Sequence, residues 1–540
     1  MQQGFRSVVA VALASTLLLA GCSSSRQQGQ SGDQKTSRNP KAQQLVVLMP
    51  AGNSTLDPAI NYEVAGQPIL PAIYEALIQL KPDGKIAPQL ATSWDVTPDG
   101  KTYTFHLRQG VKFHDGEPFN AQAMKGSIER MVAIGQGASY IFKDPVAKID
   151  TPDENTLVFT LKKPVSHFLL SLTSPWAGGA ISPKAIKENE TKDSKGNPDQ
   201  AQEWLKTHAV GTGPYKVKDS VASDSTTLER NPDWWGWAEV NNPSPIEKIL
   251  VKSVAEASTQ RLMLEKGEAD ITFGIKVTDA ADLKKNSDIV TQPVATGLAR
   301  ILSFNNAKPP LNDRRVRQAL SYSFPYAEAL ASYGDGAKRI IGQMPEGMFG
   351  YDAKLPVYNT DLEKARQLLS EAGVNGLKLD YLWVTGEDDG RKVAELWQAN
   401  LKKLGVDLNI KEGSYSTFKE QMNSPKTMPD VAAHYWGPDY PDFSAIVNLL
   451  YDGRLQQPTG TNLSFYQNKQ VDELLDKIGM ETDDKQRAAL ASQAQALILQ
   501  DAPDIWVAYV PQLIASRKEV QGYVRHPFFD WRVNYAEIHK

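Results

Sequence analysis

The chain has 540 residues, with 59 Lys and Arg against 63 Asp and Glu for a formal net charge of −4. No basic excess is available to neutralise phosphates, which argues against a nucleic-acid binder. The length exceeds what one core can organise and implies roughly two to four domains. An apolar content of 41% with 23% charged residues is that of a soluble globular protein.

Residues 1–21 are predicted to lie outside the fold. Arg6 supplies a thin positive region, and Val8 to Ala20 is an apolar run, too short for a membrane span and suited to a secretory signal. The run ends in Leu19-Ala20-Gly21-Cys22. Small residues before a cysteine suit a signal peptidase, and the tetrapeptide resembles the lipobox of bacterial lipoproteins. That resemblance implies cleavage before Cys22, lipidation of its thiol and a stable anchor once two or more acyl chains are attached. Cys22 is the only cysteine in the sequence, so no intramolecular disulfide and no Cys-based metal site or thiol catalysis is available. The Ser/Gln/Gly-rich stretch that follows Cys22, to about residue 44, reads as a flexible tether reaching roughly 25 Å.

The folded part is predicted to begin with an apolar strand at Leu45 to Met49. A helix is expected from Gly66 to Ala76, although Pro71 falls inside it. The turn Pro98-Asp99-Gly100 leads into a strand over Thr102 to Arg108, with Tyr103, Phe105 and Leu107 on one face. A helix follows from Ala121 to Met131. Further along, short apolar strands (248–254, 377–384, 406–410, 505–510) alternate with amphipathic helices (361–372, 391–404, 485–499), the pattern of an α/β protein. Gly373 and Gly405 sit where helix ends favour positive φ. The basic cluster Arg314-Arg315-Val316-Arg317 opens a helix and reads as a solvated face.

The stretch 431–450 stands out chemically. Val431-Ala-Ala reads as a buried strand, and Phe443 to Leu450 as a helix with Asp442 as its N-cap. Between them, Pro438 and Pro441 stiffen a loop carrying Tyr435, Trp436, Tyr440, Asp439 and Asp442. Carboxylates beside apolar walls suit a cleft for a cationic or polar small ligand; the plainer alternative is a capped loop with its aromatics in the core.

Several motifs resemble the family 5 extracellular solute-binding proteins, the peptide and oligopeptide receptors of ABC importers. They run in order: Leu90-x-x-x-Trp94, Asp99-Gly100-Lys101, Tyr103-Thr-Phe, Leu107-Arg108, Phe113-x-Asp115-Gly116 and Glu129-Arg130. Val210-Gly-Thr-Gly-Pro-Tyr215, the segment from Ala257 to Ile271, and Pro310 to Leu320 extend the likeness along the chain. One departure is Ala123, where the family usually has an aspartate, at the expense of a contact at the helix start. The resemblance implies an α/β, two-lobed periplasmic-binding-protein-like fold (type II, cluster C-like) with an extra small domain and a hinge. Lobe I would comprise 45–80, 181–300 and 512–540, the extra domain 81–180, and lobe III 301–511. The chain would cross between lobes near Ile301 to Asn305 and near Ile505 to Gln512.

On this resemblance Trp436-Gly-Pro-Asp439-Tyr440 matches the family pattern in which the aspartate meets a peptide's α-ammonium. Asp439 is therefore the first expected ligand residue, with Tyr435 and Trp436 walling a side-chain pocket and Tyr440 and His434 beside them. Asp442 is read as the helix cap in preference to a second contact. The implied protein is a monomeric, non-enzymatic receptor without a cofactor, held in the cell envelope by Cys22 and serving the permease and ATPase subunits of an importer. An oligosaccharide is the alternative ligand. Nickel chelates or haem fit less well, because His106, His114, His167, His208, His434, His526 and His539 show no metal spacing. An envelope hydrolase using Asp439 and Asp442 as acid and base is the alternative from another class. Trp234, Trp235, Trp237 and Trp383 are further aromatic candidates that read as core.

Overall fold

The computed structural model describes residues 43–334, 336–458 and 460–540; the expected signal segment, Cys22 and nearly all of the tether lie outside them. Its central feature is a mixed sheet that runs through the whole molecule. From one edge the order is Asp407–Gly413, Lys378–Val384, Val431–Trp436, Ile289–Phe304, Asp504–Arg517, Ile271–Ile275, Gln44–Met49, Lys248–Ser253, Ser225–Arg230 and Tyr215–Val221. The two long strands in the middle, Ile289–Phe304 and Asp504–Arg517, pair antiparallel from Ile289↔Arg517 to Ser303↔Asp504. Their ladder breaks between Ala295 and Ala299, where Thr296 Oγ1 donates to the Val510 carbonyl at 2.6 Å. Helices cover the sheet. Trp397, on Asp388–Lys403, is fully buried against Phe304 and Phe324.

A second, four-stranded antiparallel sheet orders Ala91–Val96, Thr102–Leu107, Thr156–Leu161 and Val146–Asp153. Tyr103, Phe105 and Leu107 all face its core, as their alternation predicts, and meet Phe159 and Phe168. The helix Ala121–Ile134 starts at Asn120, whose Oδ1 accepts from the Ala123 N–H at 2.9 Å, so the helix start is capped without an aspartate at 123.

Other expected elements appear with small shifts. The first strand opens at Gln44, and the helices at Leu362–Glu371, Asp388–Lys403 and Asp484–Asp501 match the periodicity. Gly373 and Gly405 have φ of 68° and 72°. Two expectations fail. The helix expected over 66–76 is a single turn, Leu70–Ile73, after which Tyr74 is extended. There the backbone bonds to other segments: Gly213 N–H donates to the Ile73 carbonyl and Ala180 N–H to that of Glu75. The Arg314 to Arg317 cluster is not all solvated face. Arg317 is buried and donates to the carbonyls of Leu311, Asp501 and Ala502, closing the end of the Asp484–Asp501 helix where Ala502 has φ 48°. One turn of helix had brought it round to the inner face.

The C-terminal residue meets the first strand. Lys540 Nζ donates to the Gln44 carbonyl at 2.6 Å and pairs with Asp270 at 2.7 Å, and Asp270 accepts the Val46 N–H. The small sheet's helix is tied to the first loop by Arg130, whose two terminal nitrogens bind the Asp57 carboxylate at 2.7 and 2.6 Å, both side chains buried. Replacing Arg130 with Ala strands that carboxylate, and denaturant unfolding should show a loss of about 3–5 kcal/mol.

Candidate functional site

The strand Val431–Trp436 pairs with the crossing strand Ile289–Phe304, from Ala299↔Trp436 to Phe304↔Val431. Alternation along it sends His434 and Tyr435 to opposite faces. His434 is buried, with Nε2 at 2.8 Å from Ser303 Oγ, and burial pushes its imidazole down to about 4. It is committed to the core and is not brought together with Asp439. Tyr435 carries the Arg300 guanidinium on its ring at 3.5 Å. Arg300 is fully buried and forks to Asp389 at 3.0 and 2.8 Å and to Glu387 at 2.8 Å, so its charge is already spent.

After Trp436, which is half-buried with its indole N–H unpartnered, the chain turns at Gly437-Pro438. Pro438 packs on Gly297, in the gap of the central ladder; a Cβ there would lie 3.3 Å from Pro438 Cδ. This contact delivers Asp439 to the inner end of the loop.

Asp439 is 4% exposed, and its Oδ2 accepts from the hydroxyls of both Tyr62 and Tyr140. Three distant segments thus converge on one oxygen. Its Oδ1 has no hydrogen-bond partner, and no cation pairs with the carboxylate, among the described residues. Burial raises Asp439 to about 6, partly opposed by the tyrosine hydroxyls. Tyr440 is buried and stacks on His167 at 5.7 Å.

Asp442 differs. It is fully buried, caps the Phe443–Ala445 turn through the Ser444 N–H at 2.9 Å, and meets Arg487 Nη2 with both oxygens at 2.7 and 2.8 Å. Burial opposes its charge, but His167, Arg487 and the Ser444 donors hold it below the usual carboxylate range. The cap reading holds, and a carboxylate locked in this way is not free to act as the acid or base of a hydrolytic pair. The helix beyond it is broken into the 3₁₀ turn Phe443–Ala445 and Val447–Tyr451.

Sequence reasoning missed Tyr62, Tyr140, His167 and Arg487. None belongs to a motif, and Tyr62 and Tyr140 lie 377 and 299 residues from Asp439. Trp234 and Trp235 face neither the loop nor solvent alone; both indoles donate to the buried Glu75 carboxyl at 3.1 and 3.0 Å, and burial raises Glu75 to about 7. Trp383 is core. Among the described residues no group of His, Cys, Asp or Glu is arranged to hold a metal, and no helix is long and apolar enough to cross a membrane.

The family model of bacterial extracellular solute-binding proteins, family 5 Middle, matches residues 85–457. The chain belongs to this family. Among its relatives is the probable D,D-dipeptide-binding periplasmic protein DdpA of Escherichia coli K12, 31% identical over 92% of this chain and 94% of that protein. Among solved structures, the ABC transporter-associated periplasmic binding protein DppA from Helicobacter pylori, in complex with the peptide STSA, superposes with a TM-score of 0.80. It is 27% identical and covers 92% of this chain and 98% of its own. AgaA from A. tumefacien R10, in complex with agropinic acid, gives a TM-score of 0.78 at 25% identity, covering 92% and 98%. These matches establish the two-lobed α/β periplasmic-binding-protein fold.

The two aspartates predict opposite stability responses. Asp442→Asn unpairs the buried Arg487 and should cost about 3–5 kcal/mol. Asp439→Asn removes a charge that burial penalises, so the melting temperature of the ligand-free protein at pH 7 should stay nearly unchanged. Thermal unfolding of the two variants side by side checks this.

Proposed function

We propose that this family member is an extracytoplasmic receptor that captures a peptide between two closing lobes and delivers it to an ABC importer. The observation that carries this reading is the Asp439 carboxylate, buried where three segments meet, supplied with neutral hydroxyl donors on one oxygen and lacking a cation. A peptide's α-ammonium is the group that would complete it. Such a charge-assisted bond is typically worth about 1.5–3 kcal/mol net. Trp436, half-buried, would wall a side-chain pocket, without Tyr435, whose ring Arg300 covers, and Tyr440 would back the loop. Main-chain hydrogen bonds to an extended ligand would supply the rest. The names of DdpA and of the STSA complex support a peptide. The relatives named here are binding proteins, which supports a receptor without catalytic turnover.

The reading includes a hinge at the ladder break, residues 295–299 against 509–511. This sits earlier on the first crossing than the sequence suggested. Around it, segments 45–80, 181–300 and 512–540 would form lobe I, 81–180 the extra domain and 301–511 lobe III. A monomer anchored through lipidated Cys22, with a tether that lets it face its permease, completes the proposal.

Two measurements test it. Calorimetry with a bound peptide should show at least about tenfold weaker affinity for Asp439→Asn; unchanged affinity would remove Asp439 from the site. Affinity should also depend on pH, with a definite sign. The ligand-free carboxyl is raised from 3.8 to about 6, so below pH 6 it holds a proton that must leave before an ammonium can pair with it. Affinity should therefore be full above pH 6 and fall by up to about tenfold per pH unit below it, a slope that Asp439→Asn abolishes. Native mass spectrometry of the protein purified without refolding identifies the ligand class, a ladder of peptide masses being the expected result.

A further inference from the structure

Away from the Asp439 carboxylate, a second set of contacts joins the part built on the small sheet to the part that carries the loop 437–446. The segment 163–167 follows the strand Thr156–Leu161 and is rooted in the small sheet's core by Phe168, fully buried against Tyr103 and Phe159 at 4.9 and 5.5 Å. It reaches the C-terminal end of the helix Lys469–Met480. There the Ser166 N–H donates to the Gly479 carbonyl at 2.9 Å, and its hydroxyl to the Ile478 carbonyl at 3.3 Å. The last carbonyls of a helix have no partner within it and are open to donors from another segment. Lys163 adds an exposed ion pair with Asp476 at 3.6 Å, which contributes little. His167 lays its ring on Tyr440, the neighbour of Asp439, at 5.7 Å and with 12° between the planes.

The two halves of this contact share a partner. Arg487 donates from Nε to the same Ile478 carbonyl at 3.3 Å, and from Nη2 to Asp442. The helix end that Ser166 grips and the loop that His167 covers are therefore tied to one buried guanidinium. The local fold does not require the His167 side chain: it makes no cap bond to the turn Phe168–Ser171, and its Nδ1 is buried without a hydrogen-bond partner. Its contact is with the other part of the molecule.

We propose that Ser166 and His167 form a clasp by which the small-sheet part holds the protein closed over its ligand. Both are positioning residues. His167 supports Tyr440 and with it the Asp439 loop, and Ser166 fixes the helix end behind that loop. The clasp rests on the receptor reading above and sets the lifetime of its closed state. Opening must break the Ser166 bonds and part His167 from Tyr440, so escape of the ligand waits on both.

The test is a distance distribution by pulsed electron paramagnetic resonance. Spin labels go on Glu154→Cys and Lys364→Cys, both exposed positions, in the full Cys22→Ser chain purified without refolding. The wild type should show a closed population at the separation of this structure beside an open one. Ser166→Ala and His167→Ala should each lower the closed-to-open ratio about fivefold, one hydrogen bond's or one ring contact's worth. Neither strands a buried partner, because the Ile478 carbonyl keeps Arg487, so melting temperatures should stay near wild type. Ser166→Thr, which keeps the hydroxyl, and His167→Phe, which keeps the ring, should restore the ratio. An unchanged ratio in one Ala variant removes that residue from the clasp. Unchanged ratios in both, or no closed population in the wild type, would overturn it. Calorimetry on Asp439→Asn judges the receptor reading separately: unchanged affinity there, with the ratio still falling in the Ala variants, would sink the ligand site and leave the clasp standing.

Discussion

The antiparallel ladder between Ile289–Phe304 and Asp504–Arg517 is the constraint on which the rest of the molecule depends. These two strands lie at the middle of the sheet, so the strands on either side take their registration from them. The ladder is also interrupted at one point, and Pro438 packs into that interruption against Gly297. The position of Asp439 is therefore set by the element that joins the two halves. On the proposed function, this would couple a ligand-binding Asp439 to the axis of lobe closure.

Charge is distributed with a clear economy around that axis. Asp57 with Arg130 and Asp442 with Arg487 are buried pairs, and the buried Arg300 is met by the half-buried Asp389 and Glu387, so these charges are met within the protein. Each is costly to break and contributes little beyond fixing geometry. Asp439 departs from this pattern, because the donors it receives are phenols. Glu75, met by two indoles, shares this neutral donor set, so what marks Asp439 for the proposed role is its place in the Pro-rich loop where three segments converge.

Much of the fold could be read from the sequence because it rests on local pattern. The alternation of Tyr103, Phe105 and Leu107, the glycines at 373 and 405 and the Asp442 cap are decided by neighbours a few residues away. The site was legible only in part. The Pro-rich stretch identified Asp439, and the family motif sharpened it, but strand alternation turned His434 into the core and Arg300 took up the face of Tyr435. Tyr62 and Tyr140 could not be found, since what makes them partners is a tertiary approach with no sequence spacing. The failed helix at 66–76 has the same cause: backbone bonds from Ala180 and Gly213 outweighed a helical pattern already weakened by Pro71.

The contact of Lys540 with the first strand has a consequence for assembly. The first strand, Gln44–Met49, finds its neighbours only at 248–253 and 271–275, and Lys540 fastens its first residue. The first strand therefore cannot complete its sheet pairings until residues 248–275 are available, which makes them long-range contacts that form slowly. The Lys540 contact places a C-terminal affinity tag beside Gln44, at one end of the sheet.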